Sequence, residues 1–288
     1  MNIGNKQLFS VLIMIFLLSC SFGVSAWEIV KDFNVGTEGT KAEGATAFDS
    51  SAGDSILSTA NVREGQFAAK LQIQAGETAF GRWGGVIDFP TALHKGEELW
   101  VGMDVFFPEG FDYSTNNGYL KFIRFRNKKS DGTHTGYLDN LIVMPSRNSG
   151  TFALLKEGLS YVLEYGSQGA QPIPQGEWFR YEIYMKLDEV PVKNGGASVV
   201  KSWLNGALIV EQTEIMTLGA ATDEVVSFYL FTYWNNGAPK DQHMYVDNII
   251  ITNEKPSAID GWGNSRIGNP YSEKPVFKNN VDVQQKIK

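Results

Sequence analysis

Cations, phenols and one imidazole recur along this chain at positions where an acidic sugar could be gripped and deprotonated: Lys121 and Arg180, Tyr137, Tyr184 and Tyr233, and His243. Cleaving an acidic polysaccharide by β-elimination needs a group that neutralises the uronate carboxylate. It also needs a base for the proton beside that carboxylate and an acid for the leaving oxygen. Arg180 or Lys121 suits the first role, Tyr233 or His243 the second, and the remaining phenol the third. A tyrosine base needs its pKa brought down from about 10, which an adjacent Lys or Arg does. Trp178 and Trp234 are candidate stacking platforms for sugar rings, and Tyr137, Tyr184 and Asn235 candidate substrate contacts. This chemistry requires neither a metal nor any other catalytic cofactor.

Other chemistries find less support. A retaining glycosidase needs two carboxylates close together on one face, but the consecutive Glu97 and Glu98 would point to opposite sides of a strand. The only histidines are His94, His134 and His243, no Gly-x-Ser-x-Gly elbow occurs, and His-x-x-x-His and Cys-x-x-Cys patterns are absent. Cys20 is the single cysteine, so the body of the chain has no disulfide and no thiolate nucleophile.

These side chains must be carried by strands. Short apolar runs with period-two alternation recur between Gly, Pro and Asn signals, and no stretch sustains helical periodicity. The expected strands are Glu28 to Phe33, Gln66 to Ile73, Thr78 to Phe89, Glu98 to Phe107, Tyr119 to Asn127, Tyr137 to Met144, Thr151 to Leu155, Ser160 to Tyr165, Trp178 to Leu187, Ser198 to Leu204 and Ala207 to Val210. Two more, Val225 to Trp234 and His243 to Thr252, flank a short polar turn. The fold class is all-β, a jelly-roll sandwich of two packed antiparallel sheets. In Val225 to Trp234, alternation puts Tyr229, Phe231 and Tyr233 on one face and Phe228, Leu230, Thr232 and Trp234 on the other. In Tyr119 to Asn127 it groups Lys121 with Ile123 and Phe125, and Arg124 and Arg126 with Leu120 and Phe122. If Lys121, Tyr137, Arg180, Tyr184, Tyr233 and His243 share one sheet, they surround a single sugar ring. The face carrying Trp178, Arg180, Glu182, Tyr184 and Lys186 reads either as a solvated surface or as part of a carbohydrate groove.

Met1 to Ala26 has one charge at Lys6, an apolar run from Leu8 to Leu18 and a small-residue end at Val24-Ser25-Ala26, the pattern of a secretory signal peptide. The rival reading makes Cys20 the lipidated residue of a lipoprotein. Either way the expected location is secreted or periplasmic, with no membrane span. Residues 27–253 form the expected sandwich domain and 254–288 an irregular tail. A net charge of −7 argues against nucleic acid as a partner, while leaving room for a locally basic cleft that holds a polyanion. The protein is expected to act as a monomer on an acidic polysaccharide.

Four segments carry a resemblance: Glu98 to Asp112 (ELWVGMDVFFPEGFD), Gly176 to Asp188 (GEWFRYEIYMKLD), Val200 to Val210 (VKSWLNGALIV) and Ala238 to Ile249 (APKDQHMYVDNI). In this order they resemble the polysaccharide lyases of family 14 and related concanavalin A-like jelly-roll lyases. The likeness runs from about Phe80 to Thr252 and implies the same fold and a β-eliminative activity. Where that family carries its catalytic lysine in Gly-Gly-Lys-Leu-Pro-Gly-Leu, this chain has Asn117-Gly118-Tyr119-Leu120-Lys121-Phe122-Ile123. Tyr119 thus stands at the lysine position and Lys121 two residues on. The family's Ser-x-Arg has no counterpart in Tyr137-Leu138-Asp139, and its Gly-Gly-Ser turn is replaced by Trp234-Asn235-Asn236. A non-catalytic carbohydrate-binding protein on the same fold is the alternative, and a glycoside hydrolase a further one.

Sandwiches of this kind often hold a structural calcium between their ends. Asp32 in the first strand and its loop, with Asp247 in the last strand, would supply carboxylate oxygens for one. The competing role for Asp247 is to cap a neighbouring loop.

Overall fold

The computed structural model of the chain describes residues 25–42, 55–78, 84–114, 120–143, 151–158, 160–163 and 172–269. Residues 1–24 of the signal segment, with Cys20, lie outside them, as do Tyr119 and residues 270–288 of the tail. Among the described residues the regular elements are strands and one 3-10 turn, Val192–Asn194. The strands are β1 (Glu28–Lys31), β2 (Ser55–Ser58), β3 (Ala68–Ile73), β4 (Gly85–Leu93), β5 (Glu98–Phe106), β6 (Leu120–Lys129), β7 (His134–Val143), β8 (Thr151–Lys156), β9 (Ser160–Leu163), β10 (Trp178–Lys186), β11 (Val199–Leu204), β12 (Ala207–Gln212), β13 (Asp223–Trp234) and β14 (Gln242–Thr252). No described helix is long and apolar enough to cross a membrane.

The strands form two antiparallel sheets, as expected for a jelly roll. One has the order β12-β11-β10-β5-β14-β3-β2, with β1 also paired to β14, and the other the order β4-β13-β6-β7-β8-β9. Alternation explains the packing: β10 buries Phe179, Tyr181, Ile183 and Met185 in the sandwich, and β6 answers with Leu120, Phe122, Ile123 and Phe125. Tyr181 meets Phe152 at 4.3 Å and Phe122 at 6.0 Å between ring centres, which ties the two layers together. Each fully buried ring of this kind contributes roughly 1.5–3 kcal/mol.

Two departures from simple alternation decide where the functional side chains point. First, β13 and β14 belong to different sheets, so the polar turn between them is an arch across the sandwich rather than a hairpin. Asn236 and Gly237 take positive φ there (63° and 83°), and Gly237 lies so close to Gly76 that an added Cβ would stand 2.7 Å from its carbonyl oxygen. Second, facing β-bulges interrupt β6 and β13: the register shifts between Lys121 and Ile123 against β7, and between Leu230 and Tyr233 against β6. Phe231, at φ 53°, turns into the core beside Phe111 and Trp234. A bulge inserts one residue and flips the parity that follows.

Among the described residues after Asn253, 254–269, none pairs as a strand with the sheets, but the stretch is packed. Residues 258–268 lie as a strap over the outer face of β11, β10 and β5. Asp260 accepts from Trp203 Nε1 (2.9 Å), the Ser265 carbonyl accepts from Trp100 Nε1 (3.1 Å), and Arg266 donates to Glu182 (2.6 Å). The Gly268 N–H donates to the other Glu182 oxygen (2.7 Å). Residues 258–268 are thus irregular in backbone but tied to the sheet by side-chain and backbone hydrogen bonds.

Candidate functional site

The outer face of the six-stranded sheet gathers charge and phenols. Because of the bulge, Lys121 shares this face with Arg124 and Arg126 rather than with Ile123 and Phe125, which are buried in the core. From β13 come Tyr229, opposite Arg124, and Tyr233, opposite Lys121. From β7 come Tyr137, opposite Arg126, and Asp139, opposite Arg124. Glu157 reaches in from the end of β8.

The contacts are close. Arg124 Nε donates to Asp139 Oδ1 (2.7 Å) and its Nη2 to Glu157 Oε1 (2.7 Å). Lys121 Nζ donates to the same Glu157 oxygen (2.7 Å) and stands 3.4 Å from Asp139 Oδ2. The Arg124 guanidinium lies 3.6 Å above the Tyr137 ring, and Lys121 Nζ lies 5.5 Å from the Tyr233 ring centre. Such contacts are worth about 0.5–2 kcal/mol each and orient the cations. Tyr137 meets Tyr229 edge-on at 5.5 Å and His134 at 4.7 Å. The Nε of Arg126 and the hydroxyl of Ser227 opposite it are buried without a hydrogen-bond partner among the described residues.

Burial divides the labour. Asp139 is fully buried, and its burial pushes the carboxyl above the usual range against the pull of Arg124 and Lys121. Glu157 is part-exposed; burial raises it, but the Lys121 hydrogen bond and the two cations outweigh that and hold it below its ordinary value. Burial pushes the Tyr137 phenol up to about 12, so it stays protonated and could serve as a donor, not a base. His134 is lowered by burial and by Arg126, which leaves a neutral imidazole at neutral pH.

Of the residues named from sequence, Lys121, Tyr137 and Tyr233 come together here. Asn235 follows in the arch at the Tyr233 end, with its side-chain oxygen buried and unpartnered among the described residues. The others do not join them. Trp178, Arg180 and Tyr184 lie on β10, which pairs with β5 and β11 in the opposite sheet, and His243 lies on β14 of that same sheet because the arch carries the chain across the sandwich after Trp234. Arg180 is buried under the strap, donating through Nε to the Gly268 carbonyl (2.6 Å) and lying 3.5 Å from Asp104. Tyr184 donates to Glu98 (2.9 Å) and packs on Trp100. Trp178 packs on Phe106, and His243 on Tyr245. Trp234 is fully buried in the core and cannot stack on a sugar. Arg124, Arg126, His134, Asp139 and Glu157 are additions from the structure. The signal that could have found the arginines was Arg124-Phe125-Arg126 itself, since two cations in a strand cannot both face a core unpaired.

Asp247 takes the loop-capping role. Its Oδ2 accepts the N–H groups of Arg63 (3.2 Å) and Glu64 (3.3 Å), and Oδ1 that of Asn248 (2.9 Å), while Asp32 accepts from Asn34 within its own turn (3.3 Å). Backbone N–H groups aimed at Asp247 do not suit a cation at that carboxylate, and the described residues hold no group of three or more His, Cys, Asp and Glu side chains that could bind a metal. Burial pushes Asp247 up to about 7, with Asp104 adding to the rise and the three N–H groups opposing it. Between about pH 4 and pH 7 the folded carboxyl keeps a proton that the unfolded chain has lost. This stabilisation is complete below the unfolded pKa and is lost as the pH rises through 7. Asp247→Asn is expected to flatten that slope, by up to a few kcal/mol, in denaturant unfolding at pH 4.5, 6 and 8.

No protein-family model matches the chain, and no curated protein matches it. Among solved structures it is similar to a mutant of alginate lyase Aly36B in complex with alginate trisaccharide, with a TM-score of 0.56 and 15% identity over 78% of this chain and 97% of that one. Aly36B without a named ligand gives 0.55 at 15% identity, over 78% and 96%. Cellulose induced protein Cip1 gives 0.53 at 15% identity, over 78% and 97%. At these identities the likeness is one of fold. The chain has the two-sheet jelly-roll fold that known polysaccharide lyases also have.

Proposed function

We propose that this protein is a secreted polysaccharide lyase that cleaves a uronate-containing polysaccharide by β-elimination on the outer face of its six-stranded sheet. The observation that carries the reading is the joining of Lys121, Arg124 and Arg126 with Tyr137, Tyr229 and Tyr233 on that one face. The arginines would neutralise uronate carboxylates, which acidifies the neighbouring C–H and stabilises the charge that develops when its proton leaves. Tyr233, beside the Lys121 ammonium, would take that proton, and a protonated phenol would return one to the leaving oxygen. No step needs a metal. The fold it shares with alginate lyase Aly36B is consistent with this reading but does not choose the substrate.

One observation favours a second reading, a non-catalytic carbohydrate-binding protein: Lys121 and Arg124 already have carboxylate partners in Asp139 and Glu157. Incubation with alginate, glucuronan, heparin and pectin, following the ultraviolet absorbance of the unsaturated product, separates the two. Product from any of them is the expected result. Retention on a polysaccharide gel with no product from any of the four selects the binder.

A further inference from the structure

Glu157 occupies the place that a substrate carboxylate would need. One of its oxygens stands 2.7 Å from both Lys121 Nζ and Arg124 Nη2, the geometry in which two cationic donors hold a single anionic oxygen. Its position differs from that of the other carboxylate in the cluster. Asp139 sits within β7, has no exposed side-chain surface and grips Arg124 through Nε, whereas Glu157 lies just past the end of β8, beside Gly158 at φ 75°, with 28% of its side chain exposed. Removing Glu157 would leave Arg124 anchored by Asp139 and stacked on Tyr137. The two cations would then face a single carboxylate. With Glu157 in place, Lys121 and Arg124 are balanced by two carboxylates and offer an incoming uronate no net charge.

We propose that Glu157 is a resident stand-in for a substrate carboxylate, a specificity-determining residue that a polyuronate displaces from Lys121 and Arg124 as it binds. The inference rests on the polyuronate reading of this face and adds the group that sets its selectivity. A neutral glycan gains nothing by displacing Glu157, because it brings no carboxylate to replace it. A polyuronate exchanges one carboxylate for another, so its affinity is lowered by the cost of expelling Glu157.

The test is affinity electrophoresis of the full chain, Glu157→Ala and Glu157→Gln in gels cast with glucuronan, alginate or hydroxyethyl cellulose. Product absorbance is recorded in parallel, and melting temperatures check folding. Both variants are expected to be retarded by the polyuronates at concentrations about tenfold lower than the parent, a factor that corresponds to about 1.4 kcal/mol. Their retardation should also be more sensitive to salt, and retardation by the neutral polymer unchanged. The glutamine variant keeps the shape of the side chain, so it answers the question if the alanine variant does not fold. Unchanged or weaker retardation by the polyuronates in both variants overturns the inference. If the variants tighten on polyuronates while neither they nor the parent yield unsaturated product, the role of Glu157 stands and the lyase reading falls. If the parent yields product and neither variant tightens, the lyase reading stands and the role of Glu157 falls.

Discussion

Lys121→Ala is expected to lower the formation of unsaturated product by about 10²–10⁴-fold, and Tyr233→Phe to do the same, with melting temperatures close to the parent's. The two residues are Cα partners across β6 and β13, and the ammonium lies 5.5 Å from the phenol ring. The phenylalanine variant keeps the ring and removes only the group that carries the proton, so a packing role for Tyr233 would leave turnover nearly intact. Loss of Lys121 leaves both Glu157 and the buried Asp139 paired to Arg124, so the structural cost is small. Initial rates on whichever polysaccharide the parent cleaves decide the matter. Near-parental rates in both variants would remove proton transfer from this part of the sheet.

Arg180→Leu is expected to do the opposite, costing about 3–5 kcal/mol of stability while the folded fraction turns over substrate at the parent's rate. The guanidinium is 6% exposed and lies 3.5 Å from Asp104, which is 1% exposed and would lose this ion pair in the interior. The substitution also removes the donor that holds the Gly268 carbonyl, loosening the strap. Packing here leaves no slack: an added Cβ at Gly102 would stand 2.6 Å from Arg180 Nη2. Urea titration and a rate measurement on the same preparation check both halves. A fall in turnover at unchanged stability would return Arg180 to a catalytic role.

Alternation and turn residues were enough to read most strands to within a few positions, because a half-buried strand has to repeat every second residue. β2, Ser55–Ser58, escaped notice: its two apolar residues, Ile56 and Leu57, are adjacent and flanked by serines, so no period is visible. The site was legible only in part. Lys121, Tyr137 and Tyr233, grouped from sequence only on the condition that their strands are neighbours, do share a sheet, but parity counting separates Lys121 from Arg124 and Arg126, since nothing in Leu120-Lys121-Phe122-Ile123 marks a bulge. The apolar character of β13 and β14 is the same whether the turn between them is a hairpin or an arch, so His243 was placed beside Tyr233 when it lies on the other sheet. Asp139 and Glu157 belong to the cluster through pairing of β7 with β6 and β8, which is long-range information that local pattern does not contain. The strap reads from sequence only as part of an irregular tail, because its partners, Trp100, Glu182 and Trp203, are remote in sequence.

The strap also gives the molecule a back. Lying over β11, β10 and β5 of the sheet opposite the Lys121 cluster, it presents Ile259 and Trp262 to solvent at 63% and 64% exposure. Neither side chain belongs to the buried core. Cys20 is the only native cysteine, so Ile259→Cys would offer a thiol-reactive bead or surface a handle on this side. A protein coupled there would be held by its sealed side, with the charged face of the six-stranded sheet turned toward the polymer in solution.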